Sequence, residues 1–251
     1  MENNILNVVN VIKSFDGEEV LKGVNLNLNR GEIYVLLGKN GVGKSTLFKI
    51  IIGLMKPTMG FVEFLDKDLL CYENKHFSEL GFNINEPRFY EHLTARKNLE
   101  IHCEYMNCSK DKIKFLLEKM GLSYLNDTLV KNYSLGMRQR LSLTRCLLHE
   151  PKMIVIDEPL NGLDPKGIKD LRHLLKEIAK EGITILMSSH ILSEVEKIAD
   201  RIGVLNSGNL IVEDTVKNLL KNNEGNFEDY IIEKMEGSHE VCYFGVKKKL
   251  L

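Results

Sequence analysis

The glycine-rich stretch "GKNGVGKST", residues 38–46, constrains the fold of this chain more than any other feature. It follows "IYVLL", a short apolar run typical of a buried strand, and precedes "LFKIIIGLM", which is predicted to form a helix ending near Gly53. Gly38, Gly41 and Gly43 allow the backbone to curl so that successive N–H groups point at phosphate oxygens. A strand, this loop and a helix in that order predict a nucleotide site.

The side chains of this loop have separate predicted roles. Lys44 places a positive charge between the β- and γ-phosphates, and the Ser45 hydroxyl is a candidate ligand of Mg²⁺. The helix that begins near Lys44 adds the positive end of its dipole. A purely structural glycine-rich turn is the alternative, and the strand–loop–helix context argues against it. The predicted nucleotide-binding residues of the loop are Gly38, Lys39, Asn40, Gly41, Val42, Gly43, Lys44, Ser45 and Thr46.

Strand and helix patterns alternate along the rest of the chain. Period-2 segments before the loop predict an antiparallel β lead-in, and "KMIVID" and "TILMSSH" predict further buried strands. These patterns predict an α/β fold with a mostly parallel sheet flanked by helices. A helical subdomain is predicted as an insertion at about residues 88–150 of a domain at 3–222. After that domain the pattern weakens. Residues 223–251 form a C-terminal extension, in which "EVCYFGVKKKLL" is either a strand or a loosely packed tail.

Shorter patterns predict where some elements begin and end. Apolar spacing predicts a helix through Ile113 and Met120, with Ser109 as its N-cap and Gly121 at its C-terminal end. Near the C-terminus, "RIGVLNSGNLIVE" predicts a hairpin that turns at Ser207–Gly208.

Composition excludes several classes of protein. Of the 251 residues 27% are charged and 43% hydrophobic, and the net charge of −1 gives no reason to expect nucleic acid as a partner. The N-terminus does not resemble a signal peptide, and no apolar run reaches the roughly 20 residues of a bilayer span. The five cysteines contain no C-x-x-C, which disfavours zinc and disulfides. We therefore expect a cytoplasmic chain that reaches a membrane only through a partner.

Two acids and a histidine follow predicted buried strands. Asp157 and Glu158 come directly after "MIVI", and His190 ends "TILMSSH". The carboxyl ends of parallel strands meet the phosphate site, so Asp157 is a candidate Mg²⁺ ligand and Glu158 a candidate base for an attacking water. The alternative for the acid pair is a helix N-terminus or a surface turn. His190 is predicted to contact the γ-phosphate.

The order of the motifs "GKNGVGKST", "NEPRFY", "YSLGMRQR", "MIVIDEP", "NGLDP" and "SSH" resembles that of ABC transporter ATP-binding subunits over roughly residues 3–215. "SLGMRQRL" and "DEPLNGLDP" are similar to the subfamily that serves bacitracin resistance and lantibiotic self-protection. The resemblance implies a P-loop NTPase fold of ABC type, ATP and Mg²⁺ as cofactors, and ATP hydrolysis coupled to transport.

The resemblance also assigns residues far from the glycine-rich loop. In the family two ATPase domains meet head to tail, and the signature helix of one faces the ATP held by the other. Ser134 and Gly136 in "YSLGM" would open that helix, and Asp164 in "NGLDP" would lie at the same interface. Phe15 stands where an aromatic ring stacks on adenine, with a place in the core as its alternative.

One position departs from the family pattern. Where the family has a glutamine that reaches Mg²⁺, this chain has Asn85 followed by Glu86. Asparagine is one methylene shorter, so either Asn85 is the metal ligand or a shift of register brings Glu86 into that role. The membrane partner of the family docks near this loop, which makes "NEPRFYEHLT" the predicted coupling surface.

The function predicted from the sequence is the ATP-hydrolysing subunit of a bacterial ABC exporter of antimicrobial peptides or drug-like compounds. Lys44, Glu158 and His190 are its predicted catalytic residues. The expected partners are a hydrophobic permease and a second ATPase chain, identical or different, and the expected location is the inner face of the membrane. One alternative is a soluble ABC ATPase that acts on ribosomes or nucleic acid; the other is a weakly hydrolytic regulatory subunit.

Overall fold

The computed structural model describes residues 4–69, 78–125, 127–222 and 226–236. These residues form two β-sheets and eight α-helices. The segment "EVCYFGVKKKLL", predicted as either a strand or a loosely packed tail, lies outside these residues.

The first sheet is antiparallel and has the strand order β2-β1-β4-β5. Its strands are β1 (Asn4–Phe15), β2 (Glu18–Asn29), β4 (Met59–Phe64) and β5 (Lys67–Asp68). Along β2, Val24, Leu26 and Leu28 are buried and the residues between them are exposed, as period-2 alternation requires. The predicted antiparallel lead-in is confirmed.

The second sheet has six strands in the order β10-β9-β3-β8-β7-β6, and every pairing except that of β10 is parallel. The strands are β3 (Ile33–Leu37), β6 (Leu80–Asn83), β7 (Met153–Ile156), β8 (Thr184–Ser188), β9 (Arg201–Asn206) and β10 (Asn209–Thr215). The hairpin between β9 and β10 turns at Ser207 and Gly208 as predicted, with φ of 48° and 83°. The mostly parallel sheet is confirmed.

Two hydrophobic cores lie on opposite faces of this sheet, because successive side chains of a strand point to opposite sides. Tyr34 and Leu36 of β3 pack with the antiparallel sheet and the first helix, whereas Val35 and Leu37 pack with the other helices. All five residues of β3 are buried, which explains its continuous apolar sequence.

The helices cover both faces. They are α1 (Lys44–Ile51), α2 (Ala95–Met106), α3 (Lys112–Lys119), α4 (Leu135–Leu147), α5 (Pro165–Lys180), α6 (Leu192–Ile198), α7 (Val216–Asn222) and α8 (Phe227–Glu236). Helices α2, α3 and α4 lie between β6 and β7, in the segment predicted as an inserted subdomain. Over the described ranges, no helix combines the length and apolar character of a membrane span.

The end of α3 agrees with the sequence prediction, but its start does not. Gly121 follows the helix with φ of 66° and donates its N–H to the Glu118 carbonyl. The prediction that Ser109 caps α3 is wrong. Its hydroxyl instead hydrogen-bonds the Asp111 carboxylate (2.7 Å) and accepts from the Asp111 N–H (3.1 Å), which closes a local turn before the helix begins.

Two histidines meet where α2 approaches the end of α4. The ring centroids of His102 and His149 are 5.8 Å apart, and His102 Nε2 and His149 Nδ1 are buried without a hydrogen-bond partner in the described residues. Burial, followed by the charges of His149 and Arg145, lowers the pKa of His102 to about 4. Burial likewise lowers the pKa of His149. The junction therefore favours neutral imidazoles.

This pair makes folding stability depend on pH. The unfolded chain protonates His102 near pH 6.5, whereas the folded chain holds it neutral until about pH 4. Stability should therefore fall as the pH drops from 6.5 towards 4, because the unfolded state binds more protons. We expect His102→Gln to reduce this pH dependence, measured as the midpoint of urea unfolding between pH 6.5 and pH 4. The control His173→Gln, at an exposed position of α5, should leave the dependence unchanged. An identical pH dependence in His102→Gln and the wild type would contradict this account.

Candidate nucleotide-binding site

The glycine-rich loop connects β3 to α1, and its backbone accepts only glycine at two points. Gly43 has φ of 109°, and a Cβ there would lie 2.8 Å from the Leu21 side chain. A Cβ on Gly38 would lie 2.5 Å from the carbonyl oxygen of Leu205 in β9. These contacts fix the loop tightly against its neighbouring strands.

Lys44, the first residue of α1, is only 6% exposed and reaches back across the loop. Its Nζ donates hydrogen bonds to the carbonyls of Gly38 (2.6 Å) and Lys39 (3.1 Å). Burial lowers the pKa of Lys44, and the carboxylates of Glu158 and Asp157 act in the opposite direction. The loop thus has a buried ammonium group at its centre, in the position predicted for phosphate contact.

Asp157, at the carboxyl end of β7, is held by two hydroxyls. Ser45 Oγ of α1 donates to its Oδ2 (2.8 Å), and Ser188 Oγ of β8 donates to its Oδ1 (2.5 Å). Ser188 also accepts the backbone N–H of Glu158 (2.8 Å). Sequence reasoning missed Ser188; the available signal was a serine at the end of an otherwise apolar strand.

The oxygens of Ser45 and Asp157 suit Mg²⁺, which prefers hard oxygen ligands and keeps several water or phosphate ligands. In the described part of the chain, no cluster of three or more histidine, cysteine or acidic residues could hold a metal. A site with few protein ligands fits an ion that is held jointly with nucleotide phosphates.

Glu158, the residue after Asp157, pairs with His190. His190 Nδ1 lies 2.8 Å from Glu158 Oε2, while Glu158 Oε1 is buried without a hydrogen-bond partner among the described residues. The Glu158 backbone has φ of 49°, a left-handed conformation that costs roughly 1–2 kcal/mol in a residue with a Cβ. Such strain, and a carboxylate with one unsatisfied oxygen, are typical of a functional residue.

A cavity of about 190 Å³ brings most of these predicted residues together. It is lined by Asn40, Gly41, Gly43, Lys44, Ser45, Thr46, Asp157 and Glu158. Phe15 lies apart from them at the end of β1, where it is 42% exposed and Lys13 Nζ is 5.0 Å from its ring centroid. This exposure rules out a place in the core, and stacking of Phe15 on adenine stays a prediction.

The predicted signature residues line a different cavity, of about 270 Å³. Ser134 caps α4 by accepting the Met137 N–H (3.3 Å), and Asp164 caps α5 by accepting the Gly167 N–H (2.9 Å). Gly136 lines the same cavity. The positive ends of two helices therefore converge on a surface that the glycine-rich loop of the same chain does not share.

Asn85 also lies outside the cavity of the glycine-rich loop. It is exposed, has φ of 70°, and lines a neighbouring cavity together with Glu86. The loop nevertheless begins beside the site, because the Asn83 carbonyl accepts the Asp157 N–H (3.0 Å). Contact between Asn85 and a metal at Asp157 stays a prediction.

Removing the Lys44 ammonium should weaken nucleotide binding. Lys44→Ala deletes a charge-assisted contact worth about 1.5–3 kcal/mol, so we expect the Kd for ATP to rise about 10- to 100-fold. The measurement is titration calorimetry on the purified chain, with Lys180→Ala at the exposed end of α5 as the control. Equal ATP affinity in Lys44→Ala and the control would refute the predicted role.

Comparison with known proteins assigns the chain to a family. The sequence model of the ABC transporter family matches residues 21–161. An uncharacterized ABC transporter ATP-binding protein, YcbN of Bacillus subtilis, is 43% identical over 203 residues, which cover 80% of this chain and 66% of that protein. The bacitracin transport ATP-binding protein BcrA of Bacillus licheniformis is 39% identical over 221 residues, with coverage of 87% and 72%. The lantibiotic transport ATP-binding protein SrtF of Streptococcus pyogenes is 40% identical over 209 residues, with coverage of 83% and 90%.

Solved structures of ABC transporter ATP-binding chains have a similar fold. CbiO1 of Clostridium perfringens, part of the ABC transporter complex cbiONQ, superposes with a TM-score of 0.80 at 31% identity, covering 89% of this chain and 93% of that one. The glycine-rich loop, the paired acids and these likenesses lead to one conclusion: the chain belongs to the ABC transporter family and is one of its ATP-binding ATPases.

Proposed function

We propose that this chain is the ATP-binding and ATP-hydrolysing subunit of a bacterial ABC exporter that removes antimicrobial peptides or similar drug-like compounds. The observation that supports ATPase activity is that one cavity is lined by Lys44, Ser45, Asp157 and Glu158 together. The bacitracin and lantibiotic names of the relatives BcrA and SrtF support the class of substrate.

The residues around the cavity supply the parts that phosphoryl transfer to water needs. The loop N–H groups and Lys44 bind the phosphates. Ser45 and Asp157 would hold Mg²⁺, which would neutralise phosphate charge. Glu158 takes the proton of the attacking water on Oε1, its unpartnered oxygen. His190 keeps that carboxylate in place through Oε2 and leaves Nε2 at the same sheet edge for the γ-phosphate.

The helix ends at Ser134 and Asp164 act on the nucleotide of a second ATPase chain. They line a cavity separate from that of the glycine-rich loop, so they have no phosphate to bind in their own chain. A head-to-tail pair, of two copies or of two different chains, brings each signature helix to the other chain's γ-phosphate. ATP binding closes this pair, and hydrolysis reopens it.

A membrane permease completes the transporter and places the chain at the cytoplasmic face of the membrane. We assign its docking surface to the loop "NEPRFYEHLT" and the adjoining helices. The strand before this loop ends at Asn83, whose carbonyl accepts the Asp157 N–H. This hydrogen bond links the docking surface to the site of hydrolysis.

Replacing the base should separate ATP binding from hydrolysis. Glu158→Gln keeps the size of the side chain and removes the proton acceptor, so we expect hydrolysis to fall at least about 100-fold while ATP binding persists. The variant should then accumulate as an ATP-bound dimer in size-exclusion chromatography, whereas Glu177→Gln, at an exposed position of α5, should behave as the wild type. A Glu158→Gln chain that stays monomeric with ATP, at a concentration where the wild type dimerises, would contradict the mechanism.

The substrate class is tested by growth inhibition. A host strain without this chain should become several-fold more sensitive to bacitracin or to a lantibiotic. The wild-type chain should restore resistance and Glu158→Gln should not. Unchanged sensitivity to both classes of peptide would rule out the proposed substrates.

A further inference from the structure

The C-terminal end of α2 brings two cysteines together. The helix ends at Met106, and Asn107 follows in a left-handed conformation with φ of 50° and ψ of 44°. The chain then turns back, so that the Cys108 N–H donates to the Cys103 carbonyl (3.0 Å). At a helix end of this type, the side chains of the two hydrogen-bonded residues commonly pack against each other. The turn therefore makes neighbours of two thiols that are not adjacent in the sequence.

The two cysteines are free thiols that differ in their exposure. Cys103 is 1% exposed and belongs to the hydrophobic core, whereas Cys108 is half-buried and packs against that core. Burial, followed by a hydrogen bond with the Cys108 thiol, raises the pKa of Cys103. At neutral pH Cys103 therefore stays protonated, and Cys108 is the thiol that a dissolved reagent reaches first.

The backbone of this turn suits a disulfide bond. Cα atoms joined by a disulfide usually lie about 4.4–6.8 Å apart, and the N–H···O bond between Cys108 and Cys103 keeps their Cα atoms close. The Cys103 thiol also donates to the Ser109 carbonyl (3.6 Å), a weak hydrogen bond that is easily replaced. Two apolar side chains of any kind would stabilise the turn, but two thiols can also react with each other.

We propose that Cys103 and Cys108 form a reversible disulfide when the chain meets a low-molecular-weight disulfide. The sequence disfavours disulfides because it lacks C-x-x-C, but the end of α2 pairs two thiols at a wider spacing. In reducing compartments such bonds are transient and respond to oxidants. Neither cysteine lines the cavity of the glycine-rich loop or that of the signature residues, so the disulfide does not depend on the proposed function.

The bond forms by two successive thiol–disulfide exchanges. The Cys108 thiolate attacks one sulfur of the small disulfide, which forms a mixed disulfide and releases one thiolate. The Cys103 thiolate then attacks the Cys108 sulfur, which closes the bond between the two cysteines and releases the second thiolate. The released thiolates take up the two protons that the cysteines lost. The chain is thereby oxidised by two electrons, and the small disulfide is reduced to two thiols.

Peptide mapping by mass spectrometry tests this site in the full-length chain. Trypsin releases residues 98–110 as one peptide with both thiols, and residues 146–152 as a peptide whose only cysteine is the buried Cys146. The chain is treated with oxidised glutathione, and the remaining thiols are then alkylated in denaturant. We expect peptide 98–110 to lose two hydrogen atoms and to escape alkylation. Peptide 146–152 should be oxidised at least about tenfold less, because a dissolved reagent rarely reaches a buried thiol.

Two single substitutions separate the steps of the reaction. In Cys103→Ser, glutathione should stay attached to Cys108, because no second thiol displaces it. In Cys108→Ser, Cys103 should stay unmodified, because it is buried. An excess of a dithiol reductant should restore both thiols of the wild type.

Three results would overturn the inference. The first is a wild-type peptide 98–110 that keeps both thiols after treatment. The second is glutathione that remains attached to Cys108 in the wild type, which would show that Cys103 does not displace it. The third is a bond from Cys103 or Cys108 to another cysteine of the chain.

Discussion

The Asp157 carboxylate, held between the hydroxyls of Ser45 and Ser188, joins three elements that the sequence keeps far apart. Ser45 belongs to the helix after the glycine-rich loop, whereas Asp157 and Ser188 end the neighbouring strands β7 and β8. Both carboxylate oxygens are occupied, so the group has little freedom to rotate. The Ser188 hydroxyl also accepts the Glu158 N–H. Ser188 therefore fixes both Asp157, the candidate metal ligand, and Glu158, the candidate base. The parallel sheet, with β3 beside β8 and β8 beside β7, is what brings them together.

This arrangement gives separate roles to the cavity of the glycine-rich loop and the cavity of the signature residues. One cavity holds a buried lysine, two acids and a loop of N–H groups, which suit the phosphates and the water of hydrolysis. The other holds two helix N-termini without any residue of the glycine-rich loop. Anion sites of this kind gain a function when a second chain brings its nucleotide to them. In the proposed mechanism, ATP binding brings the two chains together and hydrolysis separates them again.

Sequence patterns predicted the features whose residues lie close together along the chain. The glycine-rich loop, the acids after β7 and the alternating strands were recognisable because spacing alone determines them. Ser188 was missed because its role depends on which strands are neighbours, and one sequence does not give the strand order. Ser109 failed as a cap because its hydroxyl finds Asp111 two residues later, a local competitor to helix capping. Asn85 was placed by analogy with the family, and in the structure it lines a cavity that no residue of the glycine-rich loop lines.

The central claim is that each site of hydrolysis is built from the glycine-rich loop of one chain and the signature helix of another. Mixing two inactive variants tests it directly. Lys44→Ala lacks a working loop but keeps its signature, whereas Ser134→Arg blocks the signature but keeps its loop. The account predicts that neither hydrolyses ATP alone and that an equimolar mixture recovers activity, because mixed dimers contain one complete site. If the wild-type chain hydrolyses ATP by itself and the mixture stays as inactive as its components, the claim is contradicted.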